Sequence, residues 1–281
     1  MSHFTLIHAF LVLLPKNLLS WVTGWLARLE LPHSLQSWLN EAFAQIFRID
    51  QKAAEKPIRS YKSIEDVFTR RLRPGLRPIM GELVSPADGK LARSGPVAKG
   101  QLVQAKGLHY SASELALGRE QELDAAWFAT VYLAPHNYHR VHLPLSGEIV
   151  SVRYIPGQLW PVNLPYVLNF PRLFARNERL VFDFRRPEGN FWVVMVGALN
   201  VGRMTSELIP GFVTNADPLE LSSAPREFPF EAGKKLQAGD ELGVFMLGST
   251  VVLILDSGVA KALSPAPSEG FTPILMGQSL L

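Results

Sequence analysis

The chain has 281 residues, enough for one large domain with a sizeable core. Its 28 basic and 25 acidic residues leave a net charge of only +3, which gives no basic footprint of a nucleic-acid-binding protein. Because the sequence contains no cysteine, disulfides, thiolate catalysis and cysteine-ligated metal sites are excluded.

Residues 1–50 are predicted to be helical and to contact a membrane surface. The apolar stretch at 4–14 is too short for a bilayer, which needs about 20 apolar residues. Fusing it with the next apolar stretch would put Lys16 in mid-bilayer, at a cost of about 2.5–3.5 kcal/mol. We therefore expect helices that lie in the membrane interface, with three tryptophans at headgroup depth: Trp21, Trp25 and Trp38. A buried helical hairpin or a dimer contact is the alternative.

A further helix is predicted at 63–72, where Ser63 and Asp66 resemble a capping box and Pro74 follows the apolar face. From residue 79 onward, short β-like runs alternate with glycine and proline, a texture typical of antiparallel or barrel-like structure. The runs are 90–95, 97–104, 127–133, 147–155, 179–184, 191–204, 241–245 and 251–256.

The fold class that follows is α+β, with N-terminal helices in 1–50 and a mixed, mainly antiparallel β domain over 51–281. The part VVLIL at 251–255 is apolar throughout and predicts a central buried strand. The segment 155–174 is rich in proline and aromatic residues, which indicates a packed irregular loop or a lid near a lipid site. Phosphate-binding glycine motifs are absent from the sequence, so nucleotide binding has no support.

Three segments carry the residue types of an activated nucleophile. They are SPADG at 85–89, YHRVHLP at 138–144 and LGST at 247–250. Each alone is weak evidence, since SPADG reads as a turn, the HxxH pair as a surface feature and GST as the start of a strand. Together they offer an aspartate, a histidine and a serine.

The context of the serine favours chemistry on the chain itself. Ser249 follows Gly248 directly and does not form the GxSxG nucleophile elbow of hydrolases. Gly248 has no Cβ, so the Ser249 hydroxyl can approach its carbonyl carbon. Attack there converts the amide to an ester, and β-elimination breaks the ester. Hydrolysis of the resulting dehydroalanine then releases ammonia and leaves an N-terminal pyruvoyl group.

Four segments, in this order and at these intervals, resemble bacterial phosphatidylserine decarboxylase. They are SPADG, YHRVHLP, LFARNER at 173–179 and FMLGST at 245–250, and the similarity runs from about residue 55 to 260. The resemblance implies that the chain cuts itself at Gly248–Ser249 into a β chain, 1–248, and an α chain, 249–281. Ser249 would become the covalent pyruvoyl cofactor.

The resemblance also assigns roles to three further residues. It implies that Asp88 orients His142, that His142 is the base toward Ser249, and that His139 acts in decarboxylation. In an extended segment His139 and His142 would face opposite sides, so one shared site would need a turn or bulge.

The implied activity is that of a carboxy-lyase. It would convert phosphatidylserine to phosphatidylethanolamine and carbon dioxide through a Schiff base on the pyruvoyl group. The implied location is peripheral, on the cytoplasmic face of the inner membrane, against an anionic lipid surface. Three arginines are candidates for the lipid phosphate: Arg140, Arg176 and Arg179.

Four alternatives stay open from the residues alone. The same serine, histidine and aspartate would serve a hydrolase that is never cut. The turn-rich run at 232–245 resembles a carrier-type β module. A metal site on His139 and His142 lacks a third ligand, so no metal is predicted. A soluble amine substrate would use the same chemistry, and the oligomeric state, including a homodimer, is open.

Overall fold

A computed structural model describes residues 15–105, 107–118, 123–199, 203–216, 224–246 and 249–281, with only the backbone of Ser249. The predicted helical stretch at 4–14 and Gly248 of the predicted cleavage site lie outside the described residues. The element labels below apply to the described part of the chain.

The N-terminal part is helical, as predicted. Its helices are α1 (Lys16–Ala27), α2 (His33–Ile46) and α3 (Ile64–Phe68), with a 3-10 turn at Ile58–Ser60. The side chain of Asn40 donates to the carbonyls of Ile58 and Tyr61, so α2 packs across the domain boundary predicted near residue 50. Within the described ranges, the helices are all too short or too polar to cross a bilayer.

Half of the capping box predicted for α3 is present: the Ser63 hydroxyl accepts the Asp66 N–H at 3.1 Å, which makes Ser63 the N-cap. The predicted extent is wrong, since the helix ends at Phe68 and not at residue 72. After Phe68 the chain forms an antiparallel bridge between Leu72 and Ala54, and this pairing replaces the next helical turn.

The remaining strands and helices follow in chain order. The strands are β1 (Gly89–Pro96), β2 (Gln101–Ala105), β3 (Leu108–Ser111), β4 (Trp127–Leu133), β5 (Arg140–His142), β6 (Gly147–Ile155), β7 (Arg179–Arg186), β8 (Gly189–Val196), β9 (Met204–Thr205), β10 (Arg226–Pro229), β11 (Lys235–Leu236), β12 (Glu241–Phe245), β13 (Ser249–Leu255) and β14 (Ser268–Ile274). The helices are α4 (Ala112–Leu117), α5 (Leu164–Asn169), α6 (Leu173–Arg176) and α7 (Ser257–Leu263).

The main sheet has the strand order β10-β6-β7-β8-β13-β4-β1-β14, with β11 also paired to β6. A second sheet of order β5-β12-β9 packs on one face of it, and β2 and β3 form a separate hairpin. Neighbouring strands in all three sheets are antiparallel, which confirms the α+β prediction.

Strand β13 lies between β4 and β8 in the middle of the main sheet, and Val251–Leu255 are buried. The central buried strand predicted from VVLIL is therefore confirmed. The segment 155–174 is not a wholly irregular loop, because it contains α5 and the start of α6. The run at 232–245 forms no carrier-type hairpin, since β11 pairs with β6 whereas β12 pairs with β5 and β9.

Candidate active site

The three predicted motifs converge at the C-terminal end of β4. Ser249 begins β13 opposite Leu133, and Gly89 begins β1 on the other side of β4. Since neighbouring strands are about 4.8 Å apart, the backbones of Gly89 and Ser249 are roughly 10 Å apart. A Cβ on Gly89 would collide with the Tyr132 carbonyl oxygen, which explains the glycine that closes SPADG.

The SPADG turn and the YHRVHLP segment are joined by their backbones. The His142 N–H donates to the Pro86 carbonyl at 2.8 Å, and the Val84 N–H donates to the Pro144 carbonyl at 2.9 Å. These bonds keep the histidine segment beside the aspartate turn, independently of any side-chain contact.

Asp88 makes no hydrogen bond to His142, the residue that the resemblance implies it orients. Arg77 donates to both carboxylate oxygens of Asp88, at 2.8 and 2.6 Å, and the Met276 N–H donates to one of them at 2.9 Å. The Asp88 side chain is only 5% exposed. The carboxylate therefore connects Arg77 to the C-terminal segment of the chain.

The carbonyl of Gly239 orients His142 instead. His142 Nδ1 lies 2.7 Å from this carbonyl oxygen, which can only accept, so Nδ1 carries the proton. Nε2 is then free to accept the Tyr138 hydroxyl at 3.0 Å. Burial lowers the pKa of His142, which favours the neutral imidazole with a lone pair on Nε2.

His139 is fully buried and has different surroundings. Its Nδ1–H donates to the Asn137 carbonyl at 2.9 Å, and its ring lies 3.9 Å from the Phe68 ring, centroid to centroid. Among the described residues, Nε2 has no hydrogen-bond partner. Burial, assisted by the positive charge of Arg70, lowers the pKa of His139 to about 3, so the ring is neutral.

The two histidines pair with different positions of β12, the strand that precedes Ser249. The Phe245 N–H donates to the His139 carbonyl at 3.0 Å, just before the link to Ser249. His142 pairs with Glu241, one strand length earlier. His142 also lines a polar cleft of about 440 Å³ together with Tyr138, Arg77 and Arg71.

Two of the three arginines proposed to bind the lipid phosphate already bond to groups of the protein itself. Arg179 is buried and donates to the carbonyls of Glu114, Leu115, Ala175 and Asn177, so its role is structural. Arg140 pairs with Glu241 at 2.8 Å. Arg176 is exposed and lies over the Phe170 ring. Of the three, only Arg176 keeps its guanidinium at the surface.

Sequence reasoning missed Arg77, Gly239 and Met276. Arg77 and Gly239 lie in turn-rich runs that carry no catalytic motif, and Met276 contributes only its backbone N–H. The sequence could have pointed to Tyr138 as a site residue, because it is the first residue of the YHRVHLP segment. In the described ranges, histidines and carboxylates form no group of three that suits a metal ion.

Comparisons with known proteins identify the family of this chain. The sequence model of the family described as phosphatidylserine decarboxylase matches residues 64–281. The phosphatidylserine decarboxylase proenzyme of Anaeromyxobacter sp. (strain K) is 43% identical over 265 residues, which cover 92% of both chains. That of Methylobacillus flagellatus is 39% identical over 86% of both chains. That of Shewanella denitrificans is 37% identical over 95% of this chain and 93% of its own. The chain therefore belongs to the phosphatidylserine decarboxylase family, a family of carboxy-lyases.

Proposed function

We propose that this chain is a proenzyme that cuts itself between Gly248 and Ser249 and then decarboxylates phosphatidylserine to phosphatidylethanolamine. The observation that carries the proposal is the convergence of SPADG, YHRVHLP and the start of β13 at one end of the central strands. The name proenzyme, which the relatives share, also supports processing.

His142 is the proposed base for self-cleavage. Its Nδ1–H is held by Gly239, so Nε2 has the lone pair that can take the Ser249 hydroxyl proton. To do so, Nε2 exchanges its bond with Tyr138 for one with Ser249. A positioned base of this kind contributes about 10²–10⁴-fold in rate.

Asp88 is proposed as a positioning residue and not as the partner of His142. Through Arg77 and the Met276 N–H it ties the SPADG turn to the C-terminal segment. That segment belongs to the proposed α chain, whereas Asp88 and Arg77 belong to the proposed β chain. The contact therefore holds the two chains in register before and after cleavage.

The surroundings of Ser249 suit a pyruvoyl group, because His139 offers a buried imidazole nitrogen without a hydrogen-bond partner, next to the chain that leads to Ser249. When formed, that group supplies a ketone that takes up the substrate amine and the electrons released as carbon dioxide departs. His139 must carry a proton to deliver it to the product. A negatively charged substrate beside the ring raises the pKa of His139, which allows it to do so.

Peripheral association with the cytoplasmic face of the inner membrane is proposed from α1 and α2. Trp25 and Trp38 are exposed, Trp38 to 63%, and Trp21 is half-buried. Exposed tryptophans on two short helices suit the headgroup region of a bilayer.

Intact mass under denaturing conditions tests the proposal. Wild-type protein should give two fragments, 1–248 and 249–281, and the smaller one should lack a free amino terminus. Ser249→Ala should remain one inactive chain, whereas Ser60→Ala, a control at an exposed serine, should be cut normally. An uncut wild-type protein that hydrolyses esters would favour the hydrolase, and an uncut one that releases carbon dioxide would exclude the pyruvoyl route.

A further inference from the structure

The last residue of α3 and the residue after it hold the segment around His139. The Phe68 ring lies 3.9 Å from the His139 ring, centroid to centroid. The Thr69 carbonyl accepts the Arg140 Nε–H at 2.9 Å. Arg70 comes next in the chain and therefore lies beside the histidine proposed for decarboxylation, although none of the steps proposed above uses it.

Arg70 is a buried cation, 3% exposed, whose hydrogen-bond partners are backbone carbonyls. Nη2 donates to the carbonyl of His136 at 3.0 Å and to that of Asn137 at 3.3 Å, and Nη1 donates to that of Val67 at 3.4 Å. The ion pairs formed within the described ranges do not include Arg70. A buried charge without a carboxylate partner costs free energy, and such departures are concentrated at functional sites.

The carbonyl of Asn137 connects Arg70 to His139. This oxygen accepts the Arg70 Nη2–H at 3.3 Å and the His139 Nδ1–H at 2.9 Å. Because a carbonyl oxygen can only accept, Nδ1 carries the proton of the neutral ring and Nε2 carries the lone pair. Arg70 also bonds the His136 carbonyl, so it holds the loop at two successive peptide groups. The tautomer of His139 therefore depends on Arg70 through one shared oxygen atom.

The charged groups around the His139 ring disfavour a second proton on it. Burial is the main cause of its lowered pKa, the positive charge of Arg70 is the next, and His136 in the loop acts in the same direction. On β12, which bonds to the histidine segment, Glu241 is paired with Arg140. Only the Asn137 carbonyl favours the charged ring, since it accepts the Nδ1–H.

We propose that Arg70 is the positioning residue of His139. It holds the Asn137 carbonyl so that Nδ1 keeps its proton, and its charge keeps the ring neutral until a negatively charged substrate lies beside Nε2. The part of this inference that concerns turnover rests on the proposed function, whereas the control of the ring by Arg70 does not.

The substrate brings the negative charge that the surroundings of His139 lack. When the carboxylate of phosphatidylserine is bound beside the ring, Nε2 takes up a proton from water. The bond to carbon dioxide then breaks, and its electron pair, held meanwhile by the cofactor, returns to the carbon as Nε2 delivers the proton. Because the carboxylate has left as carbon dioxide, Arg70 again favours the neutral ring. One proton is consumed for each carbon dioxide released.

Nitrogen NMR of histidine-labelled, full-length Ser249→Ala protein in micelles tests the control of the ring, because this uncut chain needs no cofactor. The chain has seven histidines, and the signal that is lost on His139→Ala identifies the ring. The ring should carry its proton on Nδ1 and stay neutral down to about pH 5. Arg70→Met and Arg70→Gln remove the charge and should make the ring titrate at a higher pH. Arg70→Lys keeps the charge and should not.

The pH dependence of carbon dioxide release gives a second measurement, on protein with its native Ser249. The alkaline limb of kcat reports the proton on His139 in the substrate complex. In Arg70→Met and Arg70→Gln this limb should move to higher pH, and the plateau of kcat should fall about tenfold because the ring is held less firmly. Arg70→Lys should keep the wild-type limb and most of the rate. Arg185→Met, at an exposed arginine on β7, should change neither.

An unchanged titration of His139 in both neutral variants, or an equal shift in Arg70→Lys, would overturn the role of Arg70, because an arginine that only fills space has no effect that follows its charge. If both neutral variants fail to fold, Arg70→Lys decides: a wild-type titration supports the inference and a shifted one contradicts it. A wild-type protein that is never cut contradicts the proposed function, whereas the titration in the uncut chain still decides the role of Arg70.

Discussion

The end of the main sheet around Ser249 and the pair of N-terminal helices are built in opposite ways. At this end of the sheet, Asp88, His139 and Glu178 are buried and are held by backbone groups or by buried side chains. On the helices, large apolar side chains face outward, Trp38 to 63% and Ile46 to 73%. Burial at this end of the sheet shifts pKa values and fixes geometry, whereas the helices leave apolar area exposed to solvent, which is the basis for the proposed membrane contact.

The largest expected effects come from the two histidines. His142→Ala should accumulate uncut precursor, because no base remains for Ser249. His139→Ala should still be cut but should release carbon dioxide about 10²–10⁴-fold more slowly. His109→Ala, at an exposed position on β3, is the matched control and should behave as wild type. One gel and one carbon dioxide assay per variant suffice.

The opposite pattern for the histidines would reverse their roles. If His139→Ala stays uncut while His142→Ala matures, the base toward Ser249 is His139. Normal maturation and turnover of both variants would mean that neither ring takes part.

The Arg77–Asp88 pair should give the next largest effect. Arg77→Met leaves a buried carboxylate unpaired, which costs about 3–5 kcal/mol, and it loosens the SPADG turn. We expect slower self-cleavage, followed by time-resolved gels, and a lower melting temperature. Asp88→Ala should also accumulate precursor, to a lesser degree than His142→Ala.

Arg73→Met is the control for Arg77→Met, because Arg73 lines the same cleft without contacting Asp88. Equal cleavage rates in the two arginine variants would show that the Asp88 contact is not needed for processing.

The exposed helices should give a smaller effect, limited to membrane binding. Replacing Trp25 and Trp38 with serine should weaken binding to anionic liposomes by about tenfold or more, because apolar area is lost from the contact. Self-cleavage should be unchanged. Carbonate should extract the wild-type protein, whereas resistance to carbonate would contradict peripheral association. Met80→Ser tests whether an exposed apolar side chain outside these helices matters equally.

Glu178 should give the smallest effect, seen only in the pH dependence of stability. Burial raises the pKa of Glu178 to about 8, whereas the unfolded carboxyl titrates near 4.5. Between pH 4.5 and pH 8 the folded protein therefore keeps a proton on Glu178 that the unfolded chain has lost. The contribution of this carboxyl to the free energy of unfolding is complete below pH 4.5 and is lost as the pH rises toward 8.

Glu178→Gln should remove that loss, since an amide does not titrate. The difference between the melting temperatures at pH 5 and at pH 8 should therefore be smaller in the variant than in wild type, by roughly 3–10 °C. Asp240→Asn, at an exposed carboxylate, should leave the difference unchanged. An identical pH dependence in Glu178→Gln would show that this carboxyl is ionised in the folded protein.

Local sequence was sufficient for features that depend on a few neighbouring residues. The Ser63 cap, the buried run at 251–255 and the runs of β4 and β6 follow from capping chemistry and apolar patterning. Strand β14 was missed, because it is exposed and contains Pro273, which weakens any strand signal. Proline is tolerated there because β14 is an edge strand paired only with β1.

The sequence by itself determined the α+β class, the central strand, the three motifs and the family they resemble. Only the tertiary structure decided which groups meet. In the folded chain Asp88 pairs with Arg77 and with the Met276 N–H, and the Gly239 carbonyl orients His142. Arg179 is buried among backbone carbonyls. The physical reason is that a charge or an imidazole takes whichever partner the packed backbone brings within about 3 Å, and spacing along the chain does not encode that partner.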